Sequence, residues 1–198
     1  NDKSPLWLTT DAFFVFHFAN AYEEENKIII DYAHHSRLNF GVQNDVVSSP
    51  PQMHRMEIDL TTKTLQDSPL ADYIVEFPTI NNHYNSKPYR FIYAPTRLNN
   101  QLKPSTFNGL VKYDLASKTS TVHDFGEQYS IGEAVFAPKP QAQSEDDGYL
   151  VFFAYDSKRN KSDFLILDAL DISTAPIAVI QLPRRVPEGL HGSWFAKN

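Results

Sequence analysis

Apolar and polar positions alternate in short runs along most of the chain, and clusters of Pro, Asn, Asp and Ser separate these runs. Alternation with a period of two residues is typical of β-strands that are half buried. No segment repeats its apolar positions with the period of an α-helix over three turns, so we expect little helix. The sequence therefore predicts an all-β protein with strands near Phe13–Phe18, Lys27–Ala33, Arg55–Leu60, Arg90–Ala94, Leu110–Leu115, Thr119–Asp124, Tyr149–Tyr155, Asp163–Asp168 and Pro176–Leu182.

A turn motif recurs at nearly constant spacing. Its copies share an alternating strand that ends in Asp, and the first two continue with Leu, small polar residues and Lys-Thr; they are Met56–Thr64, Val111–Thr119 and the weaker Leu165–Ser173. The three aspartates lie 55 and 54 positions apart: Asp59, Asp114 and Asp168. Each Asp is expected to end a strand and to accept hydrogen bonds from the backbone amides of the turn. A more apolar strand precedes each copy, so one period holds about four strands.

Four-stranded units that repeat about every 50 residues are typical of β-propeller blades. The predicted fold is an all-β β-propeller, to which this chain contributes about three to four blades. Propellers close with four to eight blades, so the faces and edges at both ends of the chain would need further blades to cover them. A meandering β-sandwich whose turns resemble one another by chance is the alternative.

Four residues with metal-site chemistry share the period of the blades. His17 lies in an aromatic strand, and Glu76, Glu133 and His191 follow at intervals of 59, 57 and 58 positions. The innermost strand of each blade lines the propeller axis, so equivalent residues of successive blades can meet there. Neutral imidazole is a ligand for iron, zinc or copper, and a carboxylate binds the metal itself or accepts the ring N–H of a ligating histidine. Each residue alone would be an ordinary core histidine or a solvated carboxylate; the even spacing favours a metal site.

The other histidines give weaker signals. His34 and His35 are neighbours in a predicted strand, so their side chains should point to opposite faces and share no site. The remaining three lie in or beside polar turns and are expected to be exposed: His54, His83 and His123. The sequence contains no nucleophile elbow, Gly-rich phosphate loop or His-Glu-x-x-His motif.

Composition excludes several classes of function. The net charge is −6 and the 18 Lys and Arg residues form no basic run, which argues against nucleic acid as a partner. The absence of cysteine excludes disulfides and thiolate metal ligands, and it is compatible with a reducing, cytoplasmic location. No run approaches the roughly 18 apolar residues of a membrane span. Peripheral membrane contact is an expectation for an enzyme that takes polyenes from lipid, and no segment of the sequence shows it.

At its motifs the sequence resembles the carotenoid cleavage oxygenase family, which includes the apocarotenoid and lignostilbene dioxygenases and the retinal pigment epithelium isomerase. The matching segments run in family order: Phe16–Glu23, Glu76–Asn81, Gly132–Glu133 with the acidic Asp146–Gly148, and Leu190–Trp194. The resemblance implies a seven-bladed propeller with a non-haem Fe(II) on its axis, held by four histidines of which glutamates orient three. It also implies that His17 and His191 are the third and fourth iron ligands, that Glu76 supports His17, and that Glu133 supports His191.

The resemblance covers only the C-terminal two-fifths of a family member. It implies that residues 1–198 are the C-terminal part of a single propeller domain and that the N-terminal blades, with the other two ligand histidines, lie outside this chain. The implied reaction is O2-dependent cleavage of a conjugated carbon–carbon double bond in a carotenoid, apocarotenoid or stilbene, which gives aldehyde or ketone products. The expected partners are an apolar polyene or stilbene, O2 and the missing blades.

Two other functions remain open at this point. A non-catalytic β-propeller interaction module, or an inactive fragment of a family member, would explain why only two of four expected ligands are present. A propeller glycosidase would use Glu76 and Glu133 as its carboxylate pair, about 5–9.5 Å apart. Carboxylates that are hydrogen-bonded to histidines would argue against the glycosidase.

Overall fold

The computed structural model describes residues 4–38, 49–103 and 105–195. Apart from one turn of 3₁₀ helix at Asn82–Tyr84, the regular structure of these residues is β-strand. The strands are β1 (Phe14–Glu24), β2 (Lys27–His35), β3 (Gln52–Asp59), β4 (Thr64–Pro69), β5 (Phe91–Thr96), β6 (Gly109–Asp114), β7 (Thr119–Asp124), β8 (Tyr129–Ile131), β9 (Val135–Pro138), β10 (Gly148–Asp156), β11 (Lys161–Asp168) and β12 (Ala178–Gln181). The described part of the chain contains no helix long and apolar enough to cross a membrane.

The strands form three antiparallel sheets that follow one another along the chain. Blade 1 is β1-β2-β3-β4, blade 2 contains β5-β6-β7, and blade 3 is β8-β10-β11-β12 with β9 also paired to β10. In blade 2 the segment before β5 takes the innermost place through the bridges Val75–Thr96 and Thr79–Tyr93. Each sheet thus has four strand positions in chain order, as the repeat predicts. This order confirms the all-β blade architecture, and no strand among residues 4–38, 49–103 and 105–195 passes from one sheet to another as it would in a sandwich.

All nine predicted strands are present, and the structure adds β4, β8 and β9. β4 has the sequence Thr-Leu-Gln-Asp-Ser-Pro, which is mostly polar because β4 is the outer strand of blade 1. β8 and β9 have three and four residues, and together they form the divided inner strand of blade 3. Short strands and polar outer strands leave little alternation in the sequence, which explains why the pattern missed them.

The aspartates of the repeated motif close the hairpins between the third and fourth strands of the blades. In blades 1 and 2 one oxygen of Asp59 or Asp114 accepts the amides two and three residues further on, at 2.8–2.9 Å and 3.1–3.3 Å. Asp168 accepts the amide two residues further on, at 2.9 Å, and its other oxygen lies 3.5 Å from Lys139 Nζ. These bonds confirm the predicted role of the aspartates. The last turn residues in blades 1 and 2, Lys63 and Lys118, have φ values of +56° and +55°.

Adjacent blades pack face to face around two apolar clusters. Between blades 1 and 2, Met53 packs with side chains of blade 2 such as Ile92 and Val111. Between blades 2 and 3, Tyr93 and Leu110 belong to a larger cluster with side chains of β9, β10 and β11. Burial of these surfaces holds each inner strand in a fixed position relative to the next, which is what positions residues near the axis.

A buried polar contact accompanies each apolar cluster. In blade 1 the Asp31 carboxylate, with no exposed surface, accepts two hydrogen bonds of 2.9 Å from Arg55 and one from the Tyr89 hydroxyl of blade 2. In blade 2 the Lys112 ammonium donates to Asp146 and to backbone carbonyls of blade 3. Because both carboxylates are paired, their burial is compatible with a stable core.

Two glycines near the inner strand of blade 3 provide a matched test of packing. A Cβ added to Gly148 would overlap the Phe136 ring and lie 2.8 Å from the carbonyl oxygen of Ala137, whereas a Cβ at Gly132 would lie 3.8 Å from its nearest neighbour. We expect Gly148→Ala to lower the free energy of unfolding by about 1–3 kcal/mol through overpacking. Gly132→Ala should change it by less than about 0.5 kcal/mol. Urea unfolding of both variants checks this, and equal losses would contradict it.

Candidate metal centre

The inner strand of blade 1 is irregular where it presents His17. Val15 pairs with His34 and Phe18 with Tyr32, so β1 has one more residue than β2 between these pairs. A second shift follows between Phe18 and Asn20. Extra residues of this kind bend a strand and redirect its side chains, and they are common beside functional sites. His17 lies between Val15 and Phe18, within the first of these two irregularities.

Glu76 lies in the innermost segment of blade 2 and faces His17. Its Oε2 atom lies 2.6 Å from His17 Nδ1 and accepts the Phe77 amide at 2.8 Å, while Oε1 contacts His35 Nε2. The residue is only 7% exposed. Burial raises the pKa of the Glu76 carboxyl, but hydrogen bonds from His35, the Phe77 amide and His17 outweigh it, so that the pKa lies below its ordinary value. Glu76 is therefore ionised at neutral pH and acts as an acceptor.

Phe77 completes this turn in a backbone conformation that non-glycine residues rarely adopt, with φ at +52°. Such a conformation in a bulky residue is uncommon and is concentrated at functional sites. It allows the Phe77 amide to donate to the carboxylate of the preceding residue while the ring packs beside His17, with centroids 4.5 Å apart. The turn thus supplies both a hydrogen bond to Glu76 and an apolar wall beside the imidazole.

Glu133 and His191 form a second pair of the same kind. Glu133 follows β8 in the divided inner strand of blade 3, and His191 lies after β12. Glu133 Oε1 lies 3.1 Å from His191 Nδ1, and Oε2 accepts the Gly192 amide at 2.7 Å. The His191 side chain is 59% exposed, compared with 20% for His17. The second pair is therefore the more open of the two.

The two pairs converge. The rings of His17 and His191 are 5.0 Å apart between centroids and inclined at 73°, and the Phe77 ring lies near both. Each Nδ1 atom faces a carboxylate, so the neutral ring carries its proton on Nδ1 and its lone pair on Nε2. This is the arrangement in which proteins present imidazole to a transition metal. The two Nε2 atoms suit two coordination positions of such an ion, and further ligands are needed to complete its coordination.

The structure argues against Glu76 and Glu133 as the catalytic pair of a glycosidase. Glu76 and Glu133 are each engaged by a histidine and by a backbone amide. A glycosidase needs one carboxyl group free to protonate a leaving group and another free to attack or activate water. The carboxylates here hold imidazoles instead, so the glycosidase hypothesis loses its basis.

A second histidine cluster, which the sequence did not predict, lies on the other face of β2. His34 stacks on His54 with ring centroids 4.2 Å apart and planes inclined at 14°, and His54 Nδ1 lies 3.0 Å from Asp67, which also accepts the Tyr32 hydroxyl at 2.9 Å. The nitrogen and oxygen atoms of these side chains are close enough to consider a metal ion. A nitrogen lone pair lies in its ring plane, however, and nearly parallel stacked rings cannot both direct lone pairs at one ion. We therefore interpret the cluster as packing and hydrogen bonding within blade 1.

The expectations for the remaining histidines are partly wrong. His54 is half buried in β3 and His123 in β7, where its Nδ1 lies 2.6 Å from the carbonyl oxygen of Ile172. Both were expected to be exposed because polar residues surround them in the sequence. His83 is exposed as predicted. His34 and His35 do point to opposite faces, but His35 contacts Glu76, a role that adjacency in the sequence did not reveal.

Three successive four-stranded blades, in which glutamates of blades 2 and 3 hold His17 and His191, define the class of the protein as a β-propeller with a candidate metal centre. Comparison with known families agrees. The family model described as Retinal pigment epithelial membrane protein matches residues 1–196, and the chain belongs to this family, that of the carotenoid cleavage oxygenases.

Proteins similar to this chain include oxygenases. The chain is 33% identical to the apocarotenoid-15,15'-oxygenase of Synechocystis over 94% of its length, and 30% identical to the carotenoid 9,10(9',10')-cleavage dioxygenase 1 of Arabidopsis thaliana over 93%. It covers 39% and 37% of those proteins. A crystal structure of cobalt-substituted Synechocystis ACO superposes with a TM-score of 0.86 over 95% of this chain and 40% of that one, at 33% identity. The chain thus spans about two fifths of the length of the relatives it matches.

Proposed function

We propose that the protein containing this chain is a non-haem Fe(II)-dependent dioxygenase that cleaves a conjugated carbon–carbon double bond with O2 and gives aldehyde or ketone products. The observation that carries the proposal is the convergence of His17 and His191, each with Nδ1 on a glutamate. The names of its relatives support the reaction class, since they include apocarotenoid and carotenoid cleavage oxygenases and, at 29% identity, the isoeugenol monooxygenase of Pseudomonas putida.

In this proposal His17 and His191 bind iron through Nε2, and Glu76 and Glu133 fix the two imidazoles as Nδ1–H tautomers. When bound, Fe(II) supplies O2 activation at its open coordination positions. The cobalt in the Synechocystis structure supports a transition-metal site in this family. Glu76 is the more buried carboxylate, so the pair with His17 should be held more rigidly than the pair with His191.

An apolar substrate suits the surroundings of the two histidines. Large apolar side chains flank them in the sequence and are partly exposed: Phe16 and Phe18 beside His17, and Leu190 and Trp194 beside His191. Such side chains can contact a polyene or stilbene, or the blades that precede this chain in its relatives. We propose that those blades supply the other two ligand histidines, and that the protein is cytoplasmic with peripheral access to membranes, where polyenes dissolve.

The proposal is tested by anaerobic Fe(II) loading and product analysis. We expect a form extended through the preceding blades to bind one iron and to convert an apocarotenoid, a carotenoid or isoeugenol with O2 into two carbonyl products. The 198-residue chain, with two ligands, should bind iron weakly. An extended form that binds no iron and yields no product would overturn the proposal.

A non-catalytic propeller module is the second candidate. It is favoured by the exposure of His191 and by the presence of two, rather than four, converging histidines among the residues that the structure describes. This candidate predicts that the extended protein folds without metal and binds a protein partner, but releases iron on desalting. The same loading experiment therefore separates the two functions.

A further inference from the structure

The Glu76 carboxylate is shared by two histidines of blade 1. Oε2 accepts from His17 and from the Phe77 amide, and Oε1 contacts Nε2 of His35. In the second pair, the oxygen of Glu133 that does not face His191 accepts a backbone amide, from Gly192. In Glu76 the oxygen that does not face His17 is contacted by the His35 side chain instead.

His35 is held in this orientation by its neighbours. It is the last residue of β2 and pairs with Phe14 across the sheet, so its side chain lies on the face of β2 opposite His34. The edges of two aromatic rings meet the imidazole: the Phe14 centroid is 6.5 Å away at 74° and the Phe16 centroid 5.1 Å away at 82°. The side chain is 16% exposed. Packing of this kind restricts rotation of the ring and keeps Nε2 directed at Glu76.

The position of the Glu76 carboxylate depends on this contact. The carboxylate is nearly buried, so each of its oxygens needs hydrogen-bond donors from the protein. Without His35, Oε1 would lose the donor that the structure gives it, and the carboxylate could rotate to seek another. Rotation would move Oε2 off the line to His17 Nδ1, and the proton would no longer be held on that nitrogen.

We propose that His35 is a positioning residue, which fixes the Glu76 carboxylate so that His17 keeps its proton on Nδ1 and presents Nε2 for metal binding. The metal-binding part rests on the proposed function, whereas the effect on the His17 tautomer does not. In this proposal His35 acts through Glu76 and is not itself a metal ligand.

The test reads the tautomer of His17 directly. Long-range ¹H–¹⁵N correlation spectra of the chain labelled with ¹⁵N-histidine, recorded at pH 8, distinguish the Nδ1–H form from the Nε2–H form. His35→Phe keeps an aromatic ring and removes the donor, and His35→Gln restores an N–H donor. His34→Phe is the matched control, since it changes the adjacent residue on the opposite face and keeps a ring for stacking.

We expect the wild type, His35→Gln and His34→Phe to show His17 mainly as the Nδ1–H tautomer. In His35→Phe the ratio of the Nε2–H to the Nδ1–H form should rise about fivefold, as for the loss of one ordinary hydrogen bond. In the extended protein the same variant should bind Co(II), followed by its visible absorption, about 10- to 100-fold more weakly.

An unchanged His17 tautomer in His35→Phe would overturn the proposal, even if the variant unfolds at a lower temperature, because only structural support would then be lost. An equal change in His34→Phe would also overturn it. If the tautomer shifts as expected but the extended wild-type protein binds no metal, the positioning role stands and the proposed function fails.

Discussion

His17→Ala in the extended protein should abolish stoichiometric iron binding and double-bond cleavage. The substitution removes one of the proposed imidazole ligands and leaves the Glu76 carboxylate facing a cavity. Loss of an outer partner of a metal ligand costs about 10- to 100-fold in affinity or activity, so loss of the ligand itself should cost at least about 100-fold. Metal analysis after anaerobic Fe(II) loading, together with the rate of carbonyl product formation, measures the effect. His191→Ala should act in the same way.

Another histidine of blade 1 provides the control for this prediction. His54 is half buried, pairs with Asp67 and has no contact with Glu76 or Glu133 among those the structure gives it. His54→Ala should therefore lower stability and leave the iron content of the folded protein at one per chain. Retention of iron and activity in His17→Ala would refute the proposed ligand set, and loss of iron in His54→Ala would point to the stacked cluster instead.

The blade architecture was predictable because two local signals repeat in every blade. Alternating strands identify half-buried sheet, and an Asp that accepts turn amides fixes the end of a strand whatever the tertiary context. The repeat also explains why the four residues of the candidate metal centre are evenly spaced in the sequence. His17, Glu76 and Glu133 lie on the innermost segments of successive blades, so equal spacing in the sequence becomes proximity near the axis.

The features that the sequence did not predict depend on contacts between distant segments. His35 meets Glu76 because blades 1 and 2 pack face to face, which brings the end of β2 beside the inner segment of blade 2. The burial of His54 follows from its register with Tyr32 across β2 and β3. Neither contact leaves a signal within a few residues of the histidine, and for His54 the local polarity suggested exposure instead. Residue type and period are enough to locate an inner strand in the sequence. The hydrogen-bond partners that a residue finds in another blade can be identified only from the structure.

Lys112→Met should be the most destabilising of the stability variants considered, with a loss of about 3–5 kcal/mol in the free energy of unfolding. Lys112 is 8% exposed, and its ammonium donates to Asp146 at 2.7 Å and to the carbonyl oxygens of Ala169 and Leu170 at 2.9 Å each. Methionine has a similar length and fills the space, but it leaves a buried carboxylate and two carbonyl groups without this donor. Urea unfolding of the 198-residue chain at pH 7 measures the loss.

Two further variants separate the buried charge from the packing. Lys27 pairs with Glu57 on the surface, so Lys27→Met should leave the unfolding midpoint almost unchanged. Asp146→Asn in the Lys112→Met background removes the unpaired charge and should recover part of the loss. Equal midpoints for Lys112→Met and Lys27→Met would show that the contact contributes nothing.

Lys112 belongs to blade 2 and its carbonyl partners follow β11 of blade 3, so the contact also helps to fix Glu76 relative to Glu133. Lys112→Met should therefore weaken metal binding in the extended protein even where the protein remains folded.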